Sequence, residues 1–514
     1  MRKPIAAALF ALLAGGCMVG PDYVRPPVDA PAAWRLDEKD VRDLANTAWW
    51  EQLGDPVLND LVVVALRENK DLMIASARVD EYAGRYGFVR AELFPQVGAG
   101  YDASRQRINS SAISGSGGES TFNTYGAALN AAWEIDLWGR IRRQTEAARA
   151  QLLASEEARR GVVMTLVAST AGGYINLRDL DRQLEIAQAT AKARGESYDI
   201  FKLRFEGGII SLLELSQNRS QYEEALATIP VIEKAIAQQE NGLSVLLGRN
   251  PGPIARGKTI DELVLPAIPA GLPSELLERR PDLRAAEQQL VAANALIGAA
   301  KAQYFPTISL TGLLGFSSTS LSNLFDSQSR AWQYGGAITM PIFTAGAIAG
   351  QVQAAEAGQQ QALFSYQKAI QQSFREVNDA LVDQDRTRVQ LEAQKRQVDA
   401  LKEYADTARL RYDNGYTSFI EVLDAERSLF NAQLQFTQSQ QIQFQAMINL
   451  YKAVGGGWDV AAEKTAAAGG GRQRMLARAC EIEAQETRAT LGSFGLVFLL
   501  MGSYYILRPV RDAL

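Results

Sequence analysis

Residues 124–137, TYGAALNAAWEIDL, alternate without a break. Tyr125, Ala127, Leu129, Ala131, Trp133, Ile135 and Leu137 fall on one face of an extended chain, and Thr124, Gly126, Ala128, Asn130, Ala132, Glu134 and Asp136 on the other. A period of two marks a strand with one apolar and one polar side. Residues 332–342 repeat it, setting Trp332, Tyr334, Ile338, Met340 and Ile342 against Gln333, Gly335, Ala337 and Thr339. Residues 97–103 and 307–317 alternate more weakly, each next to a stronger strand across a Gly/Ser-rich loop such as Asn109 to Ser120. Two β-hairpins are predicted. Alternation alone fits a transmembrane barrel with a lipid-facing side and a soluble sandwich packed on a second sheet equally well.

The N-terminus tips that balance. Arg2 and Lys3, an apolar run from Ile5 to Ala14 and the pair Gly15-Gly16 read as a secretory signal over residues 1–16. Cys17 follows at once, and Gly15-Gly16-Cys17 resembles a bacterial lipobox, which makes Cys17 the expected lipid attachment site. By the same resemblance, Met18 in place of Asp directs the chain to the outer membrane. One acyl chain anchors weakly, so two or more are expected. In an exported chain the hairpins read as membrane strands. The smallest barrels have about eight strands, and an open sheet edge does not survive in lipid, so a barrel must be shared between chains.

Around the strands the sequence repeats at a spacing of roughly two hundred residues. Asn69-Lys70-Asp71-Leu72 leading to Phe94-Pro95 is answered by Arg280-Pro281-Asp282-Leu283 leading to Phe305-Pro306. Arg204-Phe205-Glu206-Gly207-Gly208 with Ser211 and Glu214 is answered by Arg411-Tyr412-Asp413-Asn414-Gly415 with Ser418 and Glu421. Residues 139–203 and 346–410 are rich in Ala, Gln, Glu and Arg and free of proline, so each predicts a helix of about 95 to 100 Å. The flanking segments 57–93 and 211–247 are about half as long and would match one long helix when stacked end to end. The expected fold is an α+β membrane protein, a duplicated helix, hairpin, long helix, helix unit.

Composition narrows the function. The chain of 514 residues is 47% hydrophobic and 22% charged, a folded composition, and its net charge of −5 offers no basic excess for nucleic acid. With no histidine, the Ser-His-Asp triad, imidazole acid/base chemistry and the usual zinc sites are excluded, and no enzyme activity and no cofactor are expected. The two cysteines, Cys17 and Cys480, leave the body without an internal disulfide.

Cys17 to Tyr23 with Arg25-Pro26, Trp49-Trp50, the two Phe-Pro pairs, Asp136-Leu137-Trp138-Gly139-Arg140, and Arg411 to Tyr416 running into Glu421-Val422-Leu423-Asp424-Ala425 together resemble the outer membrane efflux protein family, the TolC-like channels, in their OprM/NodT lipoprotein branch. The resemblance covers about residues 17–460. It implies a homotrimer in which each chain gives four strands to a twelve-stranded barrel, with a helical tunnel crossing the periplasm to a periplasmic adaptor and an inner-membrane pump. The implied function is a passive exit duct for drugs or other small molecules in efflux or secretion. A periplasmic coiled-coil interaction or adhesion lipoprotein without a pore is the alternative. The family's closed tip maps onto Glu421 and Asp424 as an acidic ring, Glu214 as its repeat-related acid and Tyr412 as the gating tyrosine, with Thr417 where the archetype has arginine. Tyr412 is expected to hydrogen-bond to the Glu214 region, and threefold repetition of the acids to favour bound cations.

The expected division is a signal peptide (1–16), an anchored segment (17–56), a first repeat (57–250), a linker (251–273), a second repeat (274–455), a Gly-rich linker (456–474) and a tail (475–514). The tail resembles the start of an unrelated inner-membrane transporter, with an apolar run at 491–507 just long enough for one span. It reads as a fused or misassembled frame, with a C-terminal anchor as the alternative.

Overall fold

The computed structural model describes residues 18–28, 48–109, 119–266 and 276–456. Helices α1 (Pro56–Glu68) and α2 (Lys70–Ala91) lead into strands β1 (Gln96–Asn109) and β2 (Glu119–Ile135), then α3 (Arg140–Glu206) and α4 (Leu212–Leu246). After the linker, α5 (Pro281–Lys301), β3 (Thr307–Ser318), β4 (Arg330–Thr339), α6 (Ala347–Asp413) and α7 (Phe419–Ala453) repeat the order. The copies match in length: α3 and α6 have 67 residues each, α4 and α7 35 each. Each long helix spans about 100 Å. At the start of α3 the Asp136 carboxylate accepts from the amides of Ile141 (3.1 Å) and Arg142 (2.8 Å), which occupies donors that a helix start leaves unpaired.

The first flanking segment is broken where one continuous run was expected. Asn69 leaves helical geometry between α1 and α2, and its side chain works in both directions. Its Oδ1 accepts from the Leu72 amide (2.9 Å) and its Nδ2 donates to the Leu246 carbonyl (2.9 Å) at the end of α4. In the second copy Arg280 takes this place, donating from Nη1 to the Ala453 carbonyl (3.0 Å) at the end of α7 while pairing with Asp282 and Glu376 at 2.7 Å each. Half-length helices thus meet end to end, and a side chain from one covers an orphan carbonyl of the other.

The four strands form one antiparallel sheet in the order β1-β2-β3-β4. Its registers run without a bulge, so the alternation read along each strand becomes a face of the whole sheet. Rows such as Ala99, Leu129, Leu314, Trp332 and Ile135, Ile308, Ile338 make an apolar side. Rows such as Gln96, Ala132, Thr311, Gly335 and Asp102, Gly126, Ser317 make a small and polar one. The pairing of β2 with β3, which joins the two hairpins, is the element that the hairpins alone did not specify. Among the described residues no helix is long and apolar enough to cross a membrane. Cys17 and the apolar run at 491–507 lie outside the described residues.

The largest apolar core lies halfway along the helices. Trp49, Trp50 and Leu53 meet Leu58 and Val62 of α1, Val163 to Leu177 of α3, Leu243 of α4 and Phe444 to Tyr451 of α7. Trp49 stacks on Tyr451 with centroids 5.3 Å apart. Residues 251–266 of the linker belong to this core, with Ile254 and Ile260 buried in it. Buried Asp55 ties the parts together: it accepts from the Val57 amide (2.9 Å), the Tyr174 hydroxyl (2.8 Å) and the Lys258 amide (2.9 Å). Burial and the Asp55 carboxylate push the Tyr174 phenol well above its ordinary value. Asp55→Ala leaves one buried and two half-buried donors unpaired and uncaps α1, so it should cost about 3 kcal/mol. Thermal unfolding of the purified protein checks this, and Asp55→Asn should recover part of the loss.

Candidate gate at the helical tip

Each long helix ends away from the sheet in a turn built on a left-handed glycine. In the first copy the Ile209 amide donates to the Arg204 carbonyl (2.8 Å) and Gly208, at φ 71°, to Phe205 (2.9 Å). In the second, Tyr416 donates to Arg411 (2.9 Å) and Gly415, at φ 77°, to Tyr412 (2.9 Å). Both are paired 6→1 and 5→2 bonds that close a helix and return the chain antiparallel. Two helical hairpins result, α3–α4 and α6–α7.

The expected gate residues divide between them. Glu214 belongs to the first hairpin and is engaged locally: its carboxylate accepts from the Ser211 amide (2.9 Å), and the Ser211 hydroxyl accepts from the Glu214 amide (3.3 Å). That is a closed capping box. Ser418 and Glu421 have the same spacing, yet the Ser418 side chain makes no cap bond, and Glu421 lies 3.9 Å from Arg411. Asp424 accepts from Arg427 at 2.8 Å. Both pairs are about half exposed, so each contributes at most about 1 kcal/mol. Tyr412 has its ring against Phe201 (6.2 Å) and Phe419 (5.1 Å). The expected hydrogen bond from Tyr412 to the Glu214 region is not formed among the described residues; Glu214 is engaged by Ser211 instead.

Phe201 is what joins the hairpins. It projects from α3 into a small core with Ala405 and Ala408 of α6 and Phe419, Val422 and Ala425 of α7, 4.2 Å from the Phe419 ring. Above this core, buried Arg194 of α3 donates to the Gln221 carbonyl (2.8 Å), lies 5.2 Å from the Phe430 ring and pairs with Glu224 at 3.5 Å. Glu426 of α7 pairs with Arg409 at 3.6 Å. Burial lowers the pKa of the Arg194 guanidinium and raises that of the Glu426 carboxyl despite the nearby cations Arg409 and Arg194. The motif reading missed these residues. The duplication held a signal for them: the offset that carries Arg204 to Arg411 sets Leu401 against Arg194 and Arg219 against Glu426, so polarity or sign changes there between copies.

At the other end of the helices the N-terminal segment is strapped into the groove between α3 and α5. The Val19 amide donates to the Trp138 carbonyl (3.1 Å), and buried Arg143 donates to the carbonyls of Val19 and Gly20 (3.3 Å each) and to Asp22 (2.7 Å). Asn294 donates to the Pro21 carbonyl (3.0 Å), and Arg25 pairs with Glu287 at 3.0 Å. Gly20 crosses Gly298 so closely that a Cβ on Gly20 would lie 2.4 Å from the Gly298 Cα.

A one-sided sheet at one end, 100 Å helices and a two-hairpin tip at the other are matched by known sequences. The outer membrane efflux protein pattern fits residues 61–249 and 272–456. The chain belongs to the outer membrane efflux protein family. It is 37% identical over 466 residues to the probable efflux pump outer membrane protein TtgC of Pseudomonas putida, covering 89% of this chain and 96% of that one. It is 37% identical over 468 residues to the probable outer membrane lipoprotein SilC of Salmonella typhimurium, covering 89% and 99%. The open state of the Neisseria gonorrhoeae MtrE outer membrane channel superposes with a TM-score of 0.79 at 32% identity, covering 86% and 99%. This efflux protein therefore has the fold of an outer-membrane channel, with the sheet in the membrane and the helices in the periplasm.

The raised Glu426 pKa gives the tip a pH dependence of defined sign. A carboxyl held above its ordinary 4.5 contributes stability that is complete below that value and is lost as pH rises through the raised one. Hydrogen exchange in the first turns of α7, corrected for intrinsic rate, should show protection falling from pH 4.5 toward neutrality in the wild type and a flat profile in Glu426→Gln.

Proposed function

We propose that three copies close a twelve-stranded barrel and a coaxial helical tunnel, making a passive exit duct with no reaction of its own. The observation that carries this reading is the single sheet with an apolar face and two unpaired edges, β1 and β4. Strands in lipid need every backbone group paired, and only closure with other copies does that. An inner-membrane pump would load the duct through a periplasmic adaptor. The adaptor would dock on the tip, where Ile209, Leu212, Leu213, Tyr416 and Ile420 are exposed around the two turns.

In this reading Glu421 and Asp424, free of a capping box, ring the axis as six carboxylates. Tyr412 holds the closed state through its stack on Phe201 and Phe419, and Glu214 keeps the neighbouring turn in shape. Adaptor docking opens the tip only by favouring the splayed hairpins over the closed ones. Cys17 would carry the lipid, two residues before Val19, whose amide is bonded to the Trp138 carbonyl. Two repeats, residues 57–250 and 274–455, make the working unit, and the tail after the Gly-rich linker takes no part in it.

Single-channel recording in planar bilayers tests the duct. Glu421→Ala with Asp424→Ala should weaken block by divalent cations, and unaltered block would return both acids to the role of solvated helix starts. Tyr412→Phe keeps the stack and should leave resting conductance near wild type, whereas Tyr412→Ala should raise it severalfold. Deleting residues 465–514 should leave assembly and export intact, as read by the apparent mass in outer-membrane fractions and by drug susceptibility. Mass spectrometry of the mature N-terminus should find an acylated Cys17.

A further inference from the structure

The lipid-facing side of the sheet carries positive charge at one level only. Val97, Ala99, Tyr101 and Ala103 share a face in β1, and the next residues on that face are Arg105 and Arg107. In β4 the same face holds Ile338, Tyr334 and Trp332 and ends in Arg330. The helices join the sheet at Gln96 and Thr339, so the arginines lie toward the opposite, outer end. A tilted membrane strand crosses the hydrocarbon in roughly 9–11 residues. Counted from Val97, Arg105 and Arg107 are the ninth and eleventh, and β4 spans 10 residues from Thr339 to Arg330. All three arginines therefore stand at the outer boundary of the apolar band, the level at which arginine on a lipid face ceases to be strongly penalised.

Within one chain Arg105 and Arg330 are on opposite edges of the sheet, three strands apart. Closure brings them together. The row through Gln96 passes Ala132 and Thr311 and reaches β4 at Gly335, four residues short of the inner end at Thr339. Setting the inner ends of β4 and of the next copy's β1 level, Thr339 beside Gln96, puts Arg330 beside Arg105 of that copy. One further pair of residues puts it beside Arg107. Either register gives an arginine cluster at each seam, above the stacked rings of Trp332 and Tyr334 (5.4 Å).

We infer that each seam is a binding site for the phosphates of an acylated glycolipid in the outer leaflet, its headgroup held by Arg330 of one copy and Arg105 of the next and its chains lying on the apolar band. Guanidinium groups bind phosphate through paired, charge-assisted bonds, and like charges brought together at a seam call for an anion between them. The membrane supplies the other half of the complementarity, since a phosphorylated lipid presents its charges at this depth and its hydrocarbon directly below. The inference rests on the threefold closure proposed above.

Native mass spectrometry of the full-length protein reads assembly and bound lipid in one spectrum. Bisphosphorylated lipid A should bind the three-chain particle, and Arg105→Gln with Arg330→Gln should weaken binding by about tenfold or more, as expected for lost charged hydrogen bonds. The same glycolipid stripped of its phosphates should bind wild type and variant alike and weakly, and millimolar inorganic phosphate should not displace lipid A. Equal lipid A occupancy in the variant, or equal wild-type binding of the dephosphorylated lipid, overturns the site. Displacement by inorganic phosphate makes it a free-anion site instead. A wild-type particle of other than three chains overturns the closure reading, whatever the lipid does. If the double variant fails to assemble, Arg330→Gln alone, at the first residue of β4, is held to the same readout.

Discussion

A backbone amide facing hydrocarbon has to find a partner, and among the described residues the outer edges of β1 and β4 have no neighbouring strand. Most of the architecture follows from that requirement. In the reading proposed above other copies complete the sheet, so that the protein works as an assembly rather than as a single chain. Because the side chains alternate in unbroken register, completing the sheet also separates two environments, with lipid on the side of Leu129, Leu314 and Trp332 and water on the side of Asp102 and Gln333. A membrane strand needs only a thin apolar skin, so the deep core is free to form elsewhere.

It forms halfway along the helices, where the ends of shorter helices would otherwise leave carbonyls unpaired. Asn69 and Arg280 solve the same problem with different chemistry, one by a neutral amide and the other by a guanidinium that also gathers Asp282 and Glu376. The linker, wrapped through Ile254, Ile260 and the Asp55 knot, fixes this level. Beyond it the tip has little apolar mass, held by Phe201, Phe419 and Tyr412. The protein is therefore firm in the middle and lightly latched at its far end, a distribution that suits a gate.

Much of this was legible in the sequence because the signals were periodic or duplicated. Strict alternation in 124–137 set the strand faces, and the repeat set the order of elements and the matched long helices. The signals that failed are those that depend on contacts between distant segments. Asn69 carries a local signal as the N-cap of α2, but its second bond, to the Leu246 carbonyl, ties it to a segment far along the chain and is not legible locally. Nothing in the Pro/Gly-rich linker distinguishes a loose connector from a belt, because Ile254 and Ile260 are buried by α3, α4 and α7 rather than by their neighbours. At the tip, Ser211 with Glu214 and Ser418 with Glu421 look alike as text, yet only the first closes as a box. Tyr412 could be singled out by its place in the repeat, but the ring it packs on, Phe201, lies on the other hairpin and carries no motif.

The equal lengths of the two copies bear on how such a chain can change through descent. Insertion of one residue in a helix turns everything beyond it by about 100° and advances it by about 1.5 Å. Placed in α3 alone, between the mid-helix core and the tip, it would pull Phe201 out of step with Phe419, while α6 stayed as it was. A tolerable change in tunnel length would have to be made in both long helices and both return helices together. The two halves hold each other to measure, so divergence is channelled into side chains and loops, and a cell envelope of different depth has to be matched by the proteins at the ends of the tunnel.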